Sequence, residues 1–125
     1  VNVLDTSGWL AFFTGESNAS YFRLIIESPE LLVVPTITVF EVYRHFLRER
    51  GRADALIAVG AMQQGNVVEL TSELATIAAA LAHEHKLAMA DSIILATAQQ
   101  FEATLWTQDV DFEGLEKVNF RPKAK

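Results

Sequence analysis

Val1-Asn2-Val3-Leu4-Asp5-Thr6-Ser7-Gly8 is a short apolar run that stops on a carboxylate, two hydroxyls and a glycine. Residues 1–4 suit a buried strand, and Asp, Thr and Ser suit the start of a helix. The same pattern recurs along the chain. Leu31-Leu32-Val33-Val34 is a second continuous apolar run, stopped by Pro35. Thr104-Leu105-Trp106 is a third, and an acid, Asp109, soon follows it. Short runs of this kind, apolar on both faces, belong in a parallel sheet covered by helices on each side.

Between the runs, apolar residues recur at helical spacing. Helices are expected over residues 7–13, 17–27, 38–50, 52–63, 72–85 and 90–101. In the third, Val39, Val42, Tyr43, Phe46 and Leu47 form one stripe, and Gly51 provides a stop. Residues 90–101 are almost wholly apolar, which predicts a central, buried helix. Residues 67–70 suit a short strand or extended link, and residues 118–120 a last edge strand. The reading is α/β: a central, mostly parallel sheet with helices on both faces, in a single domain over residues 1–125.

Composition narrows the function. Half of the residues are hydrophobic, as in a globular protein. The net charge of −6 disfavours a generic nucleic-acid binder, which carries a basic footprint. Without cysteine, neither a disulfide framework nor a thiolate metal site can form. No apolar run reaches the roughly 18 residues of a membrane span, and no secretory leader is visible. A cytoplasmic protein with no membrane partner is expected.

In an open α/β sheet, ligands bind beyond the carboxyl ends of the strands. Asp5, Glu41 and Asp109 each follow a strand, and Asp91 opens the apolar helix. The topology therefore gathers four acids at one edge. They repel one another unless a hard divalent cation neutralises them. Each acid also has a plain structural reading. Asp5 can cap a helix. Glu41 can close a capping box with Thr38, on a solvated face with His45 and Arg48. Asp111 can cap a short helix over residues 113–115, and Asp109 sits in an Asx turn. Asp91 is the most telling, because it shares a helical face with Ile94, Leu95 and Ala98. A buried acid there needs a compensating charge. Oxygen donors alone select Mg²⁺ or Mn²⁺ over zinc. His83 and His85, two apart, face different ways on a helix and do not make a zinc site.

Four segments together carry a resemblance. Val3-Leu4-Asp5-Thr6-Ser7, Pro35-Thr36-Ile37-Thr38-Val39-Phe40-Glu41-Val42-Tyr43, Ala90-Asp91-Ser92-Ile93-Ile94-Leu95-Ala96-Thr97-Ala98 and Thr107-Gln108-Asp109-Val110-Asp111-Phe112 resemble, in order, the motifs of PIN-domain ribonucleases. Within that family the chain is similar to VapC-type toxins of bacterial toxin–antitoxin pairs. The resemblance implies a Mg²⁺- or Mn²⁺-dependent endoribonuclease and usually a homodimer. It also implies a DNA-binding, VapB-like antitoxin that blocks the site. By motif match, Asp5, Glu41, Asp91 and Asp109 are the catalytic acids, and Asp5, Asp91 and Asp109 the metal ligands. Thr6, Thr107 and Asp111 are supporting residues. Arg44, Arg48, Arg50, Arg52 and Lys86 are the basic residues expected near the acids. The alternatives are a PIN nuclease of RNA processing that has no antitoxin, and a non-catalytic regulatory partner in an antitoxin–DNA complex. A phosphoacceptor receiver domain fits less well, because Asp5 stands alone after its strand and an acid, not a lysine, follows the late one.

Overall fold

In the computed structural model, which describes residues 1–124, five strands form one sheet in the order β3-β2-β1-β4-β5, every neighbouring pair parallel. The strands are β1 (Asn2–Leu4), β2 (Leu32–Pro35), β3 (Asn66–Val68), β4 (Thr104–Thr107) and β5 (Val118–Phe120). The helices are α1 (Thr6–Thr14), α2 (Ala19–Ile26), α3 (Thr36–Glu49), α4 (Arg52–Met62), α5 (Ser72–His85) and α6 (Met89–Gln100). The sheet is wholly parallel.

Period-two alternation divides the core into two layers. Val3, Val33 and Leu105 point to one side, where they meet Leu74 and Ala78 of α5 and Ile94 of α6. Leu4, Leu32 and Val34 point to the other, onto Trp9, Phe22, Val42 and Met62 of α1 to α4. Adjacent residues of one strand thus feed opposite layers, which is why the strands read as unbroken apolar runs. Helix α6 is the central helix: residues 92–98 are all buried, and it packs on β1, β2 and β4 and against α3 and α5.

The chain winds outward from β1 through β2 to β3, then returns to the far side of β1 with β4 and β5. The carboxyl ends of β1 and β4 therefore flank the point where the winding direction switches, which opens a crevice. Asp5 and Asp109 lie at this crevice because of strand order.

Two local expectations are corrected. Helix α3 begins at Thr36, two residues early, because Pro35 supplies the extended cap position and Thr38 turns its hydroxyl back onto the Pro35 carbonyl, 2.7 Å away. Thr38 is thus inside the first turn, and no capping box with Glu41 forms. No helix occupies residues 113–115. The turn there is a 3-10 helix, Val110–Phe112, and its cap is Asp109 rather than Asp111.

Two glycines test the packing in opposite directions. A Cβ on Gly65 would lie 2.8 Å from Val34 Cγ2 and 3.0 Å from the Leu32 carbonyl oxygen. Gly65→Ala should cost about 1–3 kcal/mol through overpacking. Gly60 is exposed within α4 and a Cβ there meets nothing within 4 Å. Gly60→Ala should stabilise the protein by about 0.8–1 kcal/mol. Urea midpoints at unchanged slope report both.

Candidate active site

Asp5 is 2% exposed at the end of β1. Its backbone N–H continues the sheet by donating to the Trp106 carbonyl, at 3.1 Å. Its Oδ1 accepts from the Gly8 N–H at 3.0 Å, so it caps α1. The Ser7 hydroxyl lies 2.8 and 3.0 Å from the two carboxylate oxygens, and the Thr107 hydroxyl donates to Oδ2 at 2.8 Å. Asp5 thus caps α1 while its carboxylate lies near enough to Asp109 and Asp91 for their charges to interact.

Thr107 is fully buried and joins two acids. While its hydroxyl donates to Asp5, it accepts from the Asp109 N–H at 2.8 Å. Asp109 Oδ1 in turn accepts from the Asp111 N–H at 2.9 Å, which turns Asp111 back toward the crevice. Asp91 enters in the first turn of α6. Asp91, Asp109 and Asp111 each offer a carboxylate oxygen within 4.8 Å of the others. Glu41, in the second turn of α3, accepts from the Thr6 hydroxyl at 2.6 Å. Thr6 therefore supports Glu41, and Ser7 supports Asp5.

The tightest group includes Asp111 and leaves out Asp5, whose oxygens are occupied by hydroxyls and a backbone N–H. Two residues that motif reading passed over complete the support. Buried Gln108 reaches the Ser7 carbonyl and Glu16 through Nε2, and its Oε1 accepts from the side chain of buried Asn18. Gln108 has only its place between Thr107 and Asp109 to mark it, and Asn18 has no marker at all.

The electrostatics are those of an uncompensated acidic site. Burial pushes the Asp5 carboxyl up to about 6; the bonds from Gly8, Ser7 and Thr107 oppose this, and the Asp109 charge adds to it. Burial also pushes Asp91 up, to about 7, helped by the charges of Asp109, Asp5, Glu41 and Asp111. Among the described residues, none of the basic side chains expected nearby pairs with these acids. Arg48 pairs with Glu49, Arg50 lies over Phe46 and Arg44 over Phe40. Lys86 caps α5 in a left-handed conformation. Closely set carboxylates with no cation among them, and only oxygen donors, fit a hard divalent ion.

Both shifts are upward, so each protonated carboxyl favours the fold. That contribution is complete below the unfolded value of 3.8 and is lost as pH rises through about 6 and 7. In chelator, the melting temperature should fall between pH 5 and pH 8. Mg²⁺ or Mn²⁺ should raise it more at pH 8 than at pH 5. Asp91→Asn should flatten the pH dependence. A flat profile in the wild type would remove the electrostatic account.

A family model for the PIN domain matches residues 3–118. A solved toxin–antitoxin complex from Klebsiella pneumoniae is 27% identical and aligns over 95% of this chain and 96% of its own, with a TM-score of 0.79. VapC20 of Mycobacterium tuberculosis, a toxin that cleaves the sarcin–ricin loop, shares the fold with a TM-score of 0.81 at 20% identity, over 98% of this chain and all of that one. FitAcB from Neisseria gonorrhoeae gives 0.72 at 20% identity, over 98% of each chain. No curated protein matches the sequence. With a family match across nearly the whole sheet and acids gathered at its switch point, the chain belongs to the PIN domain family.

Proposed function

We propose that residues 1–125 form one nuclease domain, the toxin of a VapC-type toxin–antitoxin pair, and that it hydrolyses RNA phosphodiester bonds with Mg²⁺ or Mn²⁺. The observation that carries this reading is the set of acids from four chain segments, Asp5, Glu41, Asp91 and the Asp109–Asp111 turn, with no basic side chain paired to them among the described residues. Asp91, Asp109 and Asp111 are the nearest group of ligands, and Asp5 the buried anchor beside them. When bound, a divalent cation supplies charge neutralisation at the scissile phosphate and a water acidic enough to attack it.

The chain's own residues set the stage for that chemistry. Ser7 and Thr107 hold the Asp5 carboxylate in one orientation, and its charge bears on Asp91 beside it. Thr107 also fixes the backbone of Asp109 and thereby the distance between the two acids. Glu41, held by Thr6, faces the group from α3 and adds a negative charge that can orient a water or the leaving group. No side-chain nucleophile is required. The toxin–antitoxin complexes among its structural relatives support an antitoxin partner, and a homodimer and an RNA substrate accompany that reading.

The test is cleavage of a mixed structured RNA pool by antitoxin-free protein in Mg²⁺, in Mn²⁺ and in chelator. Discrete, metal-dependent cuts are expected. Asp91→Asn should lower the rate by at least about 10²-fold while the fold persists. Near wild-type cleavage by Asp91→Asn, or cleavage in chelator, would overturn the assignment. Thr107→Val removes a hydroxyl that touches two acids without being a ligand. It should weaken metal affinity or activity by about 10–100-fold, read by calorimetric Mn²⁺ titration beside the cleavage assay.

A further inference from the structure

Beside the acids lies a second feature that the catalytic chemistry does not use. A groove of about 520 Å³ opens directly from the crevice and shares Ser7 and Asp109 with it. Its other walls are Gln108, Val110, Phe120, Pro122 and Lys123. Val110 is 64% exposed, an apolar side chain at the mouth of a strongly acidic site. Phe120 is half-buried and ends β5 opposite Thr107. Lys123 is exposed and, among the described residues, makes no ion pair.

The groove is built, because the segment after β5 is tied down. The Arg121 N–H donates to the Thr107 carbonyl at 2.9 Å, extending the β4–β5 pairing by one residue. The buried Asn18 side chain donates to the carbonyl oxygens of Pro122, at 3.1 Å, and Arg121, at 3.5 Å. It accepts from Arg121 Nε at 3.2 Å, and the Arg121 guanidinium lies 4.4 Å above the Tyr21 ring. Asn18 also donates to Gln108, the residue between the two site positions Thr107 and Asp109. One buried asparagine thus links the groove's outer wall to the catalytic turn.

The chemistry of the walls defines an occupant. Apolar and aromatic surface suits the flat face of an unpaired base, which stacks with little regard to sequence. An ammonium suits a backbone phosphate, and on a chain of net charge −6 a cation beside the acids offsets their repulsion of the strand. We infer that this groove is the subsite for the nucleotide next to the cut bond of a single-stranded RNA, with its base against Phe120 and Val110 and its phosphate at Lys123. The inference rests on the nuclease reading and deepens it: it makes the substrate locally unpaired and assigns Phe120 and Lys123 a part in selecting the cut site.

The experiment uses the full chain in Mn²⁺ with two substrates. One is a randomised RNA oligomer of about twelve nucleotides, with cut ends sequenced. The other is bis(p-nitrophenyl) phosphate, which has a phosphodiester but no base. The variants are Phe120→Leu, Phe120→Tyr and Lys123→Gln, each checked for fold by circular dichroism. Phe120→Leu and Lys123→Gln should lower the ratio of RNA to aryl phosphodiester activity by about fivefold or more, chiefly through KM. Phe120→Leu should also change the base distribution beside the cut, and Phe120→Tyr should restore it. Unchanged ratios and base profiles, with both substrates still cleaved, would overturn the subsite, leave the nuclease standing and free the groove for a protein segment. Failure of the wild type on both substrates would overturn the nuclease reading and the subsite with it.

Discussion

Asp5 is where the sheet, the first helix and the acidic site meet. Its backbone extends the pairing of β1 with β4, its carboxylate caps α1, and the same carboxylate faces the other acids. A carboxylate buried without donors costs on the order of several kcal/mol. Ser7, Gly8 and Thr107 lessen that cost, yet burial still dominates and holds the proton to about 6. The remaining penalty concentrates at the switch point of the sheet, where a cation can remove it.

This constraint explains the two threonines and the serine around the site. Each hydroxyl donates to a carboxylate, and none competes with a cation for charge. Thr107 is the most consequential, because one buried oxygen both donates to Asp5 and accepts from the backbone of Asp109. Rigidity at Thr107 becomes correct spacing between acids that come from different segments. The groove beyond Asp109 depends on the same residue, since its carbonyl anchors Arg121 and the segment that carries Lys123.

Much of the architecture was legible because burial on both faces leaves a plain signal. The continuous apolar runs at Val3, Val33 and Leu105 became strands of a parallel sheet, and the apolar stretch around Ile94 became the central helix. Element ends were less legible, because local chemistry there has competing solutions. Thr38 and Glu41 have the form of a capping box, yet Pro35 had already set the extended geometry that starts α3 two residues earlier. Glu41 was thereby left free to take a hydroxyl from Thr6, thirty-five residues away in sequence.

The sequence by itself determined that acids would follow the strands and open the buried helix, since apolar periodicity and turn chemistry are local properties. It also determined that only oxygen donors would be available. Strand order was decided by tertiary structure, and with it the placing of Asp5 beside Asp109. So was the choice of Asp111 over Asp5 as the close companion of Asp91 and Asp109, which turns on an Asx bond two residues long. The role of the Asn18 side chain was wholly tertiary: its partners lie at least ninety residues away, and no local pattern marks a side chain whose hydrogen bonds all close across the fold.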